Sequence, residues 1–347
     1  PEVLEALPFY YRQLFFGQAA VSEAFWVGRE AELARARSAV AAFRRGASGA
    51  LLISGARGSG KTAFAQRLLA DLFTGKEIVR VQPRPGGSVE QRAFDAALAK
   101  AADRRGSADE ILQALPDGSA VLLDDLELWW ERTREGLAVI DHVVQLMERH
   151  GHRVLFIACL GDQALTLLDR LRSVTDHALA VLRCSALPAE SLKTLITVRH
   201  ASTGAKFSLD QQAEDDLGQL RQARLFSSHF DYSGGVVGAA LRAWITHIDK
   251  VSEDALSIRA PHVQRWEVID ELKSDWMALL LELVLHKQMS PRRLGRVTRT
   301  SAEDLARALE TLSRAGLLVE SRQRVLEINP FIHHIVAARL QRMGLLA

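Results

Sequence analysis

Ala50-Leu51-Leu52-Ile53-Ser54-Gly55-Ala56-Arg57-Gly58-Ser59-Gly60-Lys61-Thr62 runs from an apolar stretch, through a glycine-rich turn, into a segment with helical periodicity up to Phe73. The turn satisfies G-x-x-x-x-G-K-[ST] in the context that gives the pattern meaning, between a buried strand and a helix. Glycines let backbone N–H groups wrap a phosphate, and the helix N-terminus adds a favourable field. Gly55, Gly58, Ser59 and Gly60 therefore form the candidate cradle. Lys61 would reach the β- and γ-phosphates, and Thr62 would ligate Mg²⁺. The ligand expected is a nucleotide.

Working outward, Ile78–Val81, Ala120–Leu123, Val154–Leu160 and Ala178–Leu182 are short apolar runs separated by helix-period stretches. Strands that are nearly all apolar are covered on both faces, so the alternation predicts an α/β fold with a three-layer parallel sheet. Helices are predicted from Ser88 and from Ser107, each with Gln or Glu three residues on. The run Ala120–Leu123 delivers Asp124 and Asp125 to its C-terminal edge. Asp124 is the second candidate Mg²⁺ ligand, through water. For Asp125 there are two readings, polarising the attacking water or capping the next helix. Glu127 is a reserve base that would have to fold back.

After Pro188, helix patterns dominate, which predicts an all-helical lid over 188–250. A polar connection, 251–273, leads to a last region, 274–347. There Ser290-Pro291 and Ser301 with Asp304 signal helix starts, and Leu317–Glu320 and Val325–Ile328 form a hairpin. Three helices and a hairpin make a C-terminal winged helix-turn-helix. The domains expected are thus an aromatic extension over 1–23, a core over 24–187, the lid, the linker and the winged helix. The extension, with Phe9, Tyr10, Tyr11, Phe15 and Phe16, should pack on the body of the protein or on a neighbour.

Composition narrows the class. The chain has 347 residues, 48% hydrophobic and 25% charged, which fits folded domains and not disorder. No stretch approaches the length of a membrane span; the richest, Trp276–Leu285, is short and contains Glu282. The start lacks the pattern of a secretory signal, and Cys159 and Cys184 sit in apolar runs as buried thiols, so a cytoplasmic setting without membrane partners is expected. From His286 to Ala347 eleven basic residues face five acidic ones, a local net of +6 that leaves −4 elsewhere.

An anionic partner such as duplex DNA, or a merely solvated face, would each suit that basic end. Arg292, Arg293, Arg296, Arg322 and Arg324 are the candidate phosphate contacts, whereas Glu303 and Glu310 on the third helix argue against base reading. Trp129-Trp130 reads as core or subunit interface. His333-His334 lacks companion ligands, and no other hydrolase motif is identifiable.

With the phosphate loop and the paired aspartates, Val27-Gly28-Arg29-Glu30 resembles the AAA+ and related STAND ATPases, nearest to their origin-recognition and transposition-regulator branch. The motifs cover about residues 25–248, and the winged helix matches by pattern only. The resemblance implies that Val27 and Gly28 border the adenine and that ATP acts as an assembly switch, forming a homo-oligomer. Asp169-Arg170-Leu171-Arg172-Ser173 resembles the segment whose arginine reaches a neighbouring subunit's γ-phosphate, which makes Arg170 the candidate finger and Arg172 the alternative. Ser233-Gly234-Gly235 through Arg242 resembles the second sensor segment, with Arg242 contacting phosphates.

One departure stands at the end of the strand Val154–Leu160. Gly161-Asp162 occupies the place of a polar first sensor, which with Asp125 predicts slow, switch-like hydrolysis. The function expected is an ATPase switch contacting DNA through its winged helix. The alternative is a signalling or scaffold ATPase whose winged helix packs inward or docks a protein, with the extension as a further docking element.

Overall fold

A computed structural model describes residues 2–16, 23–252, 255–262 and 267–346. They divide into two compact units. The larger comprises residues 30–57, 61–184 and those after 266; the smaller comprises 1–29, 58–60 and 185–266.

The larger unit is built on five parallel strands, β1 (Ala50–Ser54), β2 (Ile78–Val81), β3 (Ala120–Leu123), β4 (Leu155–Leu160) and β5 (Ala178–Arg183), in the order β2-β3-β4-β1-β5. Burial follows that order. Every residue of the three central strands is buried, while the edge strands β2 and β5 are partly exposed. This is why the central strands read as unbroken apolar runs. The helix Lys61–Leu72 buries Phe64, Ala65, Leu68 and Leu69, the larger three worth roughly 1.5–3 kcal/mol each in removed apolar surface. Trp129 and Trp130 are fully buried in this unit, Trp129 within its core cluster. Cys159 and Cys184 are buried and form no disulfide.

Ser107 makes the expected capping box with Glu110. The helix predicted from Ser88 instead spans Gln91–Ala101 with Glu90 at its cap, and the Ser88 hydroxyl accepts from Glu90 N at 3.3 Å.

The smaller unit corrects the expectation of an all-helical lid. Besides the helices Ala189–Ala201, Gln219–Ser233 and Val237–Thr246 it holds β6 (Lys206–Leu209), β7 (Gln212–Ala213), β8 (Ile248–Val251) and β9 (Ala255–Ile258) in one sheet, ordered β7-β6-β9-β8. The expected linker from residue 251 therefore begins inside a sheet; its residues 253–254 and 263–266 lie outside the described residues. Phe207, Leu209, Leu256 and Ile258 alternate inward, which is the signature of a sheet covered on one face only. The extension packs into this unit through Leu7, Tyr11 and Phe15. Tyr11 Oη accepts from Trp244 Nε1 and donates to His200 Nδ1, both at 2.9 Å. Phe9 and Tyr10 of the same helix are exposed; residues 17–22 are outside the described residues.

The winged part belongs to the larger unit. Helices Ser274–Leu285, Pro291–Thr298 and Ala302–Arg314 precede the antiparallel pair β10 (Leu318–Glu320) and β11 (Leu326–Ile328), and His333–Arg342 closes the chain's described elements. Ser290 and Ser301 cap their helices by accepting from Arg293 N and Asp304 N, with Pro291 in the first turn. Among the described residues, no helix is long and apolar enough to cross a membrane.

Candidate functional site

The phosphate loop leaves β1 at Ser54 and enters its helix at Lys61. Gly58 and Gly60 hold φ of 81° and 92°, left-handed values that a side chain would strain, so the glycines are a steric requirement of the turn. Within the larger unit, Lys61 Nζ donates to Gly55 O at 2.9 Å and Ala56 O at 3.1 Å. Thr62 Oγ1 donates to both oxygens of Asp124 at 3.2 Å. A hydroxyl beside one carboxylate offers the oxygen donors that would suit a Mg²⁺ ion. Burial and the neighbouring Asp125 raise the Asp124 pKa. A cation at this carboxylate would favour its charged form.

Asp125 has φ of 54° and stands at the N-cap of the short turn Leu126–Trp129, yet its side chain makes no capping bond. Its carboxylate instead accepts from Lys287 Nζ, at 2.6 Å to one oxygen and 2.5 Å to the other. The capping reading of Asp125 is thereby corrected. The turn that starts there buries Glu127 within electrostatic reach of Lys61 and Asp125. Glu127 is 5% exposed, its Oε2 has no hydrogen-bond partner, and burial pushes its pKa up to about 7, against the opposing pull of Lys61. A Cβ on Gly161 would stand 3.9 Å from Glu127 Oε1. The space beside Gly161 thus borders the Glu127 carboxyl.

The loop from Asp125 to Arg132 is also where the winged part docks. His286 Nδ1 donates to Glu127 O at 3.3 Å, and its ring centroid lies 4.5 Å from that of Trp130. Arg132 pairs with Glu282, which is 1% exposed. Glu131, 2% exposed, accepts from Arg293 Nε at 3.1 Å and from Arg296 Nε and Nη2 at 3.0 and 2.8 Å. Arg57, inside the phosphate loop, donates to Glu327 of β11 at 2.5 Å and to Lys287 O at 3.3 Å.

Of the expected phosphate contacts, one is therefore buried and one is exposed but engaged by a carboxylate. Arg293 is buried and spends its donors on Glu131, Gly86 O and Trp130 O, which corrects its assignment to DNA; Arg296 also pairs with Glu131. Arg292, Arg322 and Arg324 are exposed with no ion-pair partner among the described residues. On the third helix Glu303, Asp304 and Glu310 pair with Arg307 and Arg314 of the same helix.

Arg170, in the last turn of the helix Asp162–Arg172, is exposed. Asp169 fixes the turn after it by accepting from Thr175 N and Oγ1 at 2.9 and 2.7 Å, while Arg172 pairs with Asp141. Both arginines are exposed, and Arg170 has no ion-pair partner among the described residues.

Within the smaller unit, Gly238 N donates to Gly58 O at 2.8 Å, and Arg242 Nη2 lies 3.4 Å from where a Cβ on Gly58 would be. Gly28 has φ of 76°, packs against Leu187, and its carbonyl accepts from Trp26 Nε1 at 2.9 Å. Beside Val27 and Gly28, Arg29 donates to Ser59 O at 3.0 Å and Ser185 O at 2.7 Å. The sequence reasoning missed Arg29, Arg57, Glu131 and Lys287. Arg29 and Arg57 lie inside local motifs, but the bonds of all four residues are made with partners far along the chain, so no local pattern announces them.

A family model described as an AAA ATPase domain matches residues 26–326. No curated protein matches significantly. Solved structures similar in fold include the ORC2 protein of Aeropyrum pernix in its ADPNP–ADP complexes, 14% identical, covering 95% of this chain and 98% of that one with a TM-score of 0.54. Cdc6p from Pyrobaculum aerophilum is likewise 14% identical, covering 96% and 98% with a TM-score of 0.50.

Proposed function

Because the chain belongs to the AAA ATPase domain family and is an ATPase, we propose that it works as a nucleotide-operated switch whose winged helix restrains the catalytic loop. The observation that carries this reading is the ion pair between Lys287 and Asp125. An ammonium on both carboxylate oxygens occupies the acceptors that orienting a water requires, so turnover needs the winged part to let go. Arg57 ties the same region to the phosphate loop through Glu327. A nucleotide that reshapes this loop thereby acts on the wing.

In this reading Gly55, Gly58, Ser59 and Gly60 cradle the phosphates of ATP, Lys61 neutralises them, and Val27 and Gly28 border the base. Thr62 and Asp124 would hold Mg²⁺, which would supply charge neutralisation to the nucleotide's phosphates. Asp125 orients the attacking water once freed, Arg242 contacts phosphate in the same chain, and Arg170 reaches a neighbour's nucleotide in a homo-oligomer. Hydrogen exchange tests the switch. Amides of residues 284–296 should lose protection when a slowly hydrolysed ATP analogue binds, and not in Lys61→Ala. Equal protection with and without nucleotide would overturn it.

A second reading, contact with duplex DNA, is favoured by the unpaired exposed Arg292, Arg322 and Arg324. It predicts sequence-independent affinity falling with salt, with a slope of roughly −0.9 per phosphate neutralised, and a slope shallower by about one unit for each arginine replaced by alanine. Affinity indifferent to salt would reject it in favour of a protein partner.

A further inference from the structure

The loop after β2, residues 84–90, and the first turn of the helix Pro291–Thr298 flank a half-open cavity of about 460 Å³ within the larger unit. We propose that this cavity is a second anion site, separate from the phosphate loop, which takes a small phosphate-bearing molecule. Arg84, Arg292, Arg293 and Arg296 line it, together with Ser88 and Ser290. The carboxylates nearby do not balance four guanidiniums. Glu131 is already shared by Arg293 and Arg296, and Glu90 is engaged by Arg92 at 3.0 Å.

Arg84 has only neutral partners, Gly87 O at 3.1 Å and Ser88 Oγ at 3.3 Å, and Arg292 has none among the described residues. Two positive charges therefore face the cavity uncompensated. The buried Arg293 registers the crowding. Burial lowers its pKa, with the charges of Arg296 and Arg84 acting in the same direction against the pull of Glu131. An anion entering the cavity relieves that repulsion.

The guanidiniums of Arg84 and Arg292, which arrive from two elements and which no carboxylate among the described residues holds, suit a phosphate, which accepts bidentate bonds on several faces, better than a lone carboxylate. Arg293 and Arg296, their donors held by Glu131 and by backbone carbonyls, add charge. The helix N-terminal turn contributes a field of the same sign. The volume lies in the range of small-molecule sites, which fits a sugar phosphate or a nucleotide. The loop geometry is steric as well as electrostatic. Gly86 and Gly87 have φ of 74° and 72°, and a Cβ on Gly87 would fall 2.2 Å from Leu128 O and 2.3 Å from Arg293 Nη1. Only glycine lets this loop lie against the arginine.

The test is calorimetric titration of the full chain carrying Lys61→Ala, with inorganic pyrophosphate as the probe. One-to-one binding is expected, weakened at least tenfold by Arg84→Ser with Arg292→Ser, two exposed positions, and unchanged by Arg224→Ser elsewhere on the surface. Absent binding, or binding indifferent to the double substitution while thermal melts match, would overturn the site. A duplex DNA arm separates the sources of phosphate. Binding of duplex that depends on Arg84 and Arg292, without binding of pyrophosphate, would overturn the small-molecule assignment and give these arginines to a nucleic-acid backbone.

Discussion

Lys287 and Asp125 lie 162 positions apart in sequence, yet the ammonium of one bonds both carboxylate oxygens of the other. Both residues hold left-handed backbone, φ of 61° and 54°, so each side chain is aimed by a turn and not by a regular element. Neither turn has a local reason to face the other. The pair forms because the winged part docks on the loop after β3.

Lys287→Met should raise ATP turnover. A partly exposed pair contributes about 1 kcal/mol, so releasing Asp125 corresponds to roughly a fivefold faster rate. Phosphate release at saturating ATP measures this. A rate equal to or below wild type, in a variant with an unchanged melting curve, would show that the pair does not restrain catalysis.

Glu127 imposes a pH dependence on stability. Its pKa is about 7 when folded, against 4.5 as a free side chain. Between those values the folded state holds a proton that the unfolded chain has released. Stability should therefore fall as pH rises from about 4.5 to 7 and level off above, by up to about 3 kcal/mol. Glu127→Gln should remove that slope. Urea titrations at pH 5, 6 and 7.5 decide it, since parallel behaviour of both proteins contradicts a buried neutral Glu127.

Arg293→Met should cost about 2–4 kcal/mol, because Glu131 is left buried with a single half-exposed partner in Arg296. Arg296→Met should cost less than about 1 kcal/mol by the same logic. Adding Glu131→Met to Arg293→Met should recover most of the loss, as the uncompensated charge disappears. A double variant as unstable as the sum of its parts would place the cost in packing.

Arg170→Ala should leave turnover unchanged in dilute protein and lower it, about 10³-fold or more, where subunits assemble. A concentration series read by turnover per subunit, alongside light scattering, separates the two regimes. The same loss at every concentration would mean that Arg170 acts within its own chain.

Much of this was legible in the sequence wherever the physics is local. The strands β1, β3 and β4 announce themselves by being apolar on both faces, and Ser107, Ser290 and Ser301 by caps whose partners sit three residues away. The phosphate loop combines both kinds of signal.

The sheet β6–β9 was lost because its strands are two to four residues long and amphipathic, too short for a period of two to outweigh the helices around them. Arg293 misled for a different reason. A basic residue on a basic stretch looks solvated until its carboxylate, Glu131, arrives from 162 residues away.

The burial of Cys159 has a practical consequence. It pairs with Ile53 in the middle of the sheet, and burial raises its thiol pKa well above the ordinary value. A thiolate-selective reagent added to a chain carrying Cys184→Ser thus meets no reactive partner until the strands around Cys159 part. Labelling velocity becomes a clock for separation of the very strands that carry the phosphate loop. Nucleotide that binds only the closed sheet must slow that clock in proportion to occupancy, which gives an affinity measurement without radiolabel, chromophore or turnover.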